Sequence, residues 1–407
     1  PYTTLFRSRA LFFALSCTYP LFAFPEIADA LKSTKFTVDA RAFYFDRDFQ
    51  KPISPDAKTF AVGGIAKLET GEFMGFSAGL AQYGSYRPGF ISKDDATGSS
   101  MLESGTNNNL SFIGESYIKY KTNMLELKIG KQRLSTPLKN DHDLRLLPSA
   151  YSGGVLKTQI IPSTVLEAGW IGRYTGFAST YNTFRDMSES WGEKGLGYLY
   201  LQNNYFKDLT LKAQYVKALN NSNISVADYR YSEFRQKFGK MFIDGQYGAN
   251  DYRASKDSKM FGFQIGGELF GADIVAVYNK ILGNNFAAVE SGAMYTDWQQ
   301  GYGIYQPSEA VGGYIVLKPI KNLSAKIGRV NVYAKEGNIR DDFSETMFDG
   351  WYTFNQSNKL RLRYSLKDES SKANEYGRTL AAWSGAKTTG YEDRKDLRII
   401  YYYSFAK

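Results

Sequence analysis

The sequence has a single cysteine, Cys17, and a single histidine, His142, among 407 residues. That scarcity excludes a disulfide framework, a thiolate zinc site and a histidine-rich metal cluster. It also leaves Cys/His catalysis almost nothing to build on. Long hydrophobic runs are missing too: beyond the first thirty residues no stretch of about 18 apolar residues occurs, which excludes helical membrane spans. Sustained 3.6-residue periodicity is absent. No proline-rich linker or low-complexity block divides the chain.

What the sequence does have is aromatic side chains. Its 31 Tyr, 28 Phe and 5 Trp make 16% of the residues, yet 22% are charged and mean hydropathy is only −0.39. A chain so aromatic and so polar needs two kinds of surface. The net charge of +9 contains no Lys/Arg run and no recognition motif, so nucleic acid is not an expected partner.

Pro1-Tyr2-Thr3-Thr4-Leu5-Phe6-Arg7-Ser8 reads as the in-frame translation of a sequencing-adapter oligonucleotide, so residues 1–8 stand outside fold reasoning. Residues 9–30 read as a secretory signal. Arg7 and Arg9 precede a mostly apolar run, Ala10 to Phe24, and cleavage could follow either Leu21-Phe22-Ala23 or Ala28-Asp29-Ala30. Ala14 stands where a lipoprotein signal would place Leu, which argues against acylation at Cys17. Residues 31–407 form one domain.

From residue 35 onward the pattern has period two, which sends alternate side chains to opposite faces of a strand. The clearest case is Leu360 to Lys367, with Leu360, Leu362, Tyr364 and Leu366 on one face and Arg361, Arg363, Ser365 and Lys367 on the other. The expected strands are 35–46, 58–69, 73–84, 110–121, 124–133, 153–161, 165–174, 195–205, 209–219, 224–236, 239–250, 259–269, 272–282, 310–318, 323–335, 342–354, 359–367 and 395–405. These are about 18 segments of bilayer-spanning length, joined by alternately short and long connections. The predicted fold is therefore all-β: a transmembrane antiparallel β-barrel with a polar, water-filled interior. Charged side chains such as Arg361, Arg363 and Lys212 almost never bury without partners, and a wet lumen keeps them hydrated. Tyr44, Tyr83, Tyr120, Tyr174, Tyr205, Tyr278, Tyr352 and Phe354 are expected at the membrane interfaces. Leu397, Ile399, Tyr401, Tyr403 and Phe405 alternate through a final strand of the kind by which outer-membrane barrels are recognised for insertion.

Two segments carry a family resemblance. Arg41-Ala42-Phe43-Tyr44-Phe45-Asp46-Arg47-Asp48-Phe49, and Gly130-Lys131-Gln132-Arg133-Leu134-Ser135-Thr136-Pro137-Leu138 followed by Asp141-His142-Asp143-Leu144-Arg145-Leu146-Leu147-Pro148-Ser149, resemble the opening strand and pore-loop region of OprD-type substrate-specific porins of Gram-negative bacteria. The resemblance implies an 18-stranded outer-membrane barrel, often a weakly associated homotrimer, with a pore loop folded inward. It also implies a lumen row of Arg and Lys that guides substrate carboxylates, with acidic residues opposite. The corresponding loop here is 134–152, with Asp141, His142, Asp143 and Arg145 as candidate constriction residues. The two aspartates lack the further ligands of an EF-hand loop, so no metal or cofactor is expected.

Alternation alone assigns the row. It gives Arg41, Lys67, Lys119, Lys128, Arg173, Lys212, Lys326, Arg361, Arg363 and Arg398, faced by Asp39, Glu115, Glu126, Glu167, Glu268, Glu345 and Asp349. Some of these charges can simply pair across strands, as Glu115 and Lys119 would. One-sided charge in a narrow aqueous channel concentrates the opposite ion, and the Arg fork engages carboxylates bidentately. The expected function is passive diffusion of small hydrophilic solutes, carboxylate-bearing nutrients such as amino acids and small organic acids, in contact with outer-membrane lipid and lipopolysaccharide. Two other classes compete. A barrel enzyme would have to rely on His142, and an adhesin would use surface loops such as 283–308 with Tyr295, Trp298, Tyr302 and Tyr305.

Overall fold

A computed structural model describes residues 25–49, 56–91, 101–103, 106–138, 145–176, 185–186, 194–219, 226–286, 294–298, 307–336, 339–369, 379–380, 387–388 and 393–407. After a short helix, α1 (Pro25–Lys32), eighteen strands form the wall. They begin with β1 (Lys35–Phe49), β2 (Ala57–Glu69), β3 (Phe76–Tyr86), β4 (Leu110–Lys121), β5 (Leu125–Gln132) and β6 (Ala150–Thr158). Next come β7 (Thr164–Thr175), β8 (Leu196–Asn203), β9 (Leu209–Ala218), β10 (Val226–Phe238), β11 (Met241–Tyr252) and β12 (Ser258–Leu269). The series ends with β13 (Ala272–Gly283), β14 (Ser308–Ile320), β15 (Leu323–Glu336), β16 (Ile339–Thr353), β17 (Asn358–Glu369) and β18 (Arg394–Ala406). Each strand pairs antiparallel with the next, and β18 pairs with β1 from Thr37–Ala406 to Phe49–Arg394, so the sheet closes on itself. Closure removes the sheet edges that the hydrocarbon core of a bilayer would not tolerate.

The two faces follow the alternation. In β12, Met260, Gly262 and Gln264 are buried while Phe261, Phe263 and Ile265 are exposed. Leu362, Tyr364 and Leu366 face outward in β17, and Arg363, Ser365 and Lys367 are buried between them. The apolar belt is thus the outer surface and the polar residues line the interior. Two expected interface aromatics turn inward instead. Tyr83 is fully buried and donates to Glu115, and Tyr174 packs against the interior cluster around Tyr151 and Ile171.

Short connections gather at one rim. The Phe270-Gly271 turn between β12 and β13 has φ of 53° and 78°, the two positive values that a type I′ hairpin turn demands. Both ends of the barrel sequence lie at this rim, where Phe36 and Lys407 exchange backbone hydrogen bonds. The other rim carries the connections 87–109, 133–149, 176–195, 284–307 and 370–393.

Helix α1 straddles the expected boundary between residues 30 and 31. Pro25 opens it, a residue favoured at the first helical position. Glu26 in the first turn and Lys32 in the last complement the helix dipole. Its C-terminal end lies on the β2–β3 turn, where the Gly71 N–H donates to the Ala30 carbonyl at 2.9 Å. The Ser33 hydroxyl donates to Asp29 and Ala30 carbonyls at 2.9 and 3.1 Å.

Candidate functional site: the lumen and its two inward loops

The leading and returning arms of the pore loop attach to distant parts of the wall. On the leading arm, the Leu138 N–H donates to Gln214 Oε1 at 2.8 Å, and Gln214 Nε2 donates to Thr136 Oγ1 at 2.7 Å. Gln214 belongs to β9. On the returning arm, Arg41 of β1 donates to the Arg145 carbonyl at 3.1 Å, and Leu146 and Leu147 are buried against Phe43 and Phe45. Strands β1 and β9 are separated by eight places in an eighteen-strand cylinder, so the loop crosses the opening. Arg145 sits at its β1 end, its guanidinium 5.7 Å from the Phe45 ring. Asp141, His142 and Asp143 lie outside the described residues.

A second loop also enters. The Tyr295 N–H donates to Gln246 Oε1 at 3.1 Å, and Asn279 Oδ1 accepts from both the N–H and the hydroxyl of Thr296 at 3.0 and 3.1 Å. Asn279 Nδ2 in turn donates to Gln246 Oε1 at 2.8 Å. Buried amides demand partners, and here the two side-chain amides obtain them by holding the loop inside. Trp298 packs edge-on against Tyr314. Tyr295 and Trp298 therefore belong to the interior, not to an adhesive surface; Tyr302 and Tyr305 lie outside the described residues.

One arc of the wall is strongly cationic. Register carries a line from Lys326 (β15) through Asp349 (β16), Arg363 (β17) and Arg398 (β18) to Phe45 (β1). Arg361 and Arg41 lie on the lines toward the short-turn rim, while Arg47, Lys367 and Arg394 lie toward the other. These eight cations share their patch with three carboxylates, Glu345, Asp349 and Asp396. Asp396 accepts from Arg398 Nε at 2.7 Å and from Arg47 Nε at 2.9 Å. Asp349 accepts from Arg361 at 2.8 and 2.7 Å, with Arg363 at 3.6 Å. Aromatic rings carry much of the remaining load. Arg361 lies 4.4 Å from the Trp351 centroid, Arg41 4.9 Å from Tyr402, and Lys326 3.8 Å from Tyr314. Trp351 and Tyr402 stack at 5.3 Å. A cation over a ring face is attracted by the ring quadrupole and held in direction by it.

Lys119 and Lys128 belong to a different arc, where charge is balanced. Lys119 pairs with Glu69 at 2.6 Å, Lys67 with Glu115 at 3.3 Å, and Lys128 lies 3.8 Å from the Tyr117 ring. Lys119 is thus matched to Glu69 and not to Glu115. Lys212 sits 3.4 Å from Glu233 on the neighbouring strand. Glu167 accepts from Tyr198, Asp244 from Arg235, and Asp39 from the Ser404 hydroxyl. Glu268 pairs with Lys240 beside the short-turn rim.

The assignment of Arg173 to the lumen fails. A register shift between Ser152 and Gly153 leaves Gly172 unpaired on β7, so Arg173 falls opposite Ser152 while Tyr174 meets the buried Tyr151. Arg173 is consequently exposed, one residue out of the interior phase. Arg47 and Arg394 were not singled out from sequence, and Lys367, placed on the polar face of its strand, was left out of the row. Arg47 and Arg394 lie just past the expected strand ends, and extending the alternation by one pair would have found them.

A closed membrane cylinder with a hydrated interior and two loops drawn across its opening is a channel. Comparison with known proteins agrees. The family model for outer membrane porins of the OprD family matches residues 28–292, so the chain belongs to that family and resides in the outer membrane of a Gram-negative bacterium. Similar solved structures include OccAB3 from Acinetobacter baumannii, with 16% identity, TM-score 0.76, and coverage of 92% of this chain and 100% of that one. OccAB2 from the same organism has 17% identity and TM-score 0.75 over 93% and 99%, and opdK from Pseudomonas aeruginosa 16% and 0.74 over 93% and 100%. No curated protein sequence matches the chain. Family and fold indicate a channel for small solutes in a lipid environment.

Proposed function

We propose that this channel passes small carboxylate-bearing nutrients, amino acids and small organic acids, down their gradient, guided by Arg41, Lys326, Arg361, Arg363 and Arg398. The observation that carries this reading is the cationic arc, eight basic side chains against three carboxylates, which begins at the docking point of the pore loop. A solute carboxylate descending past Arg145 meets guanidinium donors along the arc. The Glu115, Glu167, Glu233 and Asp244 side of the wall suits an ammonium group on the same molecule. Lys119, Lys128 and Lys212, each beside an acidic or aromatic neighbour, contribute less to the field. The decisive measurement is the reversal potential of single channels in a KCl gradient, paired with liposome uptake of glutamate and of an uncharged sugar of similar size. Anion preference with faster glutamate entry is expected, and cation preference would overturn the guiding role of the row.

Lipopolysaccharide contact and a homotrimer extend the same reading. Lys217, Arg230, Lys259 and Lys280 stand on the outward phase toward the long-loop rim, where lipid phosphates would meet them; three of them already share charge with Asp228, Asp251 and Glu309. Fatty-acid analysis and native mass of the extracted protein test both points.

A further inference from the structure

Two cleavage positions compete at the end of the export signal, after Ala23 and after Ala30, and the structure distinguishes their products. We propose that processing follows Ala23, so that the mature barrel keeps residues 25–34 as an arm packed on the β2–β3 turn. This inference rests on the outer-membrane reading and concerns what enters the membrane with the barrel.

Three observations support it. First, residues 25–32 carry their own start and stop signals. Pro25 opens the helix, Glu26 and Lys32 sit at the dipole ends they suit, and Ala30 is 7% exposed. An apolar signal segment awaiting removal needs none of these. Second, the arm makes specific contacts with the barrel. The Ala30 carbonyl accepts the Gly71 N–H, and both Asp29 and Ala30 carbonyls accept from Ser33. Cutting after Ala30 deletes those acceptors, orphans the Gly71 donor and puts a charged ammonium on Leu31 where the helix had run. Third, the turn is shaped for the arm. A Cβ on residue 71 would lie 1.9 Å from Ser33 Oγ and 2.9 Å from the Ala30 carbonyl oxygen, so glycine is what lets the two segments touch. The competing motif, Ala28-Asp29-Ala30, lies wholly inside α1, whereas Leu21-Phe22-Ala23 ends before it.

N-terminal sequencing and intact mass of the protein extracted from outer membranes test the proposal. A mature N-terminus at Phe24 is expected; a terminus at Leu31, any other start, or an uncut chain overturns it. Ala23→Arg should accumulate precursor, while Ala28→Arg, which spoils only the competing site, should still release Phe24. The arm is tested by joining the signal directly to Leu31. That barrel should lose its heat-resistant electrophoretic form at a lower temperature than the parent, and an identical transition would overturn the packing role. Single-channel recording on the same preparations reports separately on the channel itself.

Discussion

Arg41, on the first strand, donates to the carbonyl of Arg145 at 3.1 Å across 104 residues of chain, and so fixes the returning arm of the pore loop to the cationic arc. The same guanidinium lies over the Tyr402 ring of the last strand, a second contact that sets its direction. One residue therefore serves both the wall and the inward loop.

Replacing it tests that double duty. Arg41→Ala removes the hydrogen bond to Arg145, about 1 kcal/mol net, together with the Tyr402 ring contact, and frees the loop arm. Planar-bilayer recording should show larger unitary conductance and noisier open states. Unchanged conductance would show that the buried Leu146 and Leu147 hold the arm unaided.

The cationic arc predicts ion selectivity. Arg361→Gln with Arg363→Gln should move the reversal potential in a KCl gradient toward cations by more than Lys212→Gln does, since Lys212 is offset by Glu233. Equal shifts would mean that the arc has no privileged field. Because the double variant leaves Asp349 less well partnered, heat-modifiability should be checked alongside.

The second inward loop hangs on amides. Asn279→Ala strips Thr296 of its acceptor and Gln246 of a donor, at a cost of about 1–3 kcal/mol for each buried group left unpaired. Release of the loop should widen the pore, read as increased conductance and faster entry of larger sugars. A pore of parental size would place the constriction at the first loop alone.

Salt should erode the preference for anions. The Debye length falls from about 10 Å at 0.1 M to about 3 Å at 1 M, so permeability ratios measured across that range should approach those of the bulk ions. A ratio that stays constant would argue for direct coordination over field effects.

The outer face provides a test of orientation. Phe263→Arg, at an exposed outward position, should cost about 2–4 kcal/mol in vesicle folding if it lies near the bilayer midplane, whereas Gln264→Arg, one residue on, faces the interior beside the Asp244 carboxylate and should cost less. Equal penalties would contradict the assigned faces.

Particular residues show what alternation can and cannot read. Arg361 and Arg363 were legible because Leu360 to Lys367 alternates without interruption, and period two located all eighteen strands even where, as at Gly114, an unpaired residue breaks the phase. Arg173 was not, because Gly172 adds one unpaired residue and a single step reverses inside and outside. For Lys119 and Lys128 alternation gives a face and not a position around the circumference, so their balanced surroundings were hidden. Tyr295 and Trp298 read as surface aromatics because their anchors, Gln246 and Asn279, are polar residues on strands whose register no local pattern reveals.

The seam between β1 and β18 joins side chains as far apart in sequence as Asp39 and Ser404, 365 positions. The first strand emerges early and must wait for the last, leaving two open edges until the whole chain has been delivered. Contacts so remote form slowly, and unpaired edges invite other strands. Safe passage through the periplasm thus falls to whatever escorts the chain, and the cylinder's final step is a zipper that only its closing segment can complete.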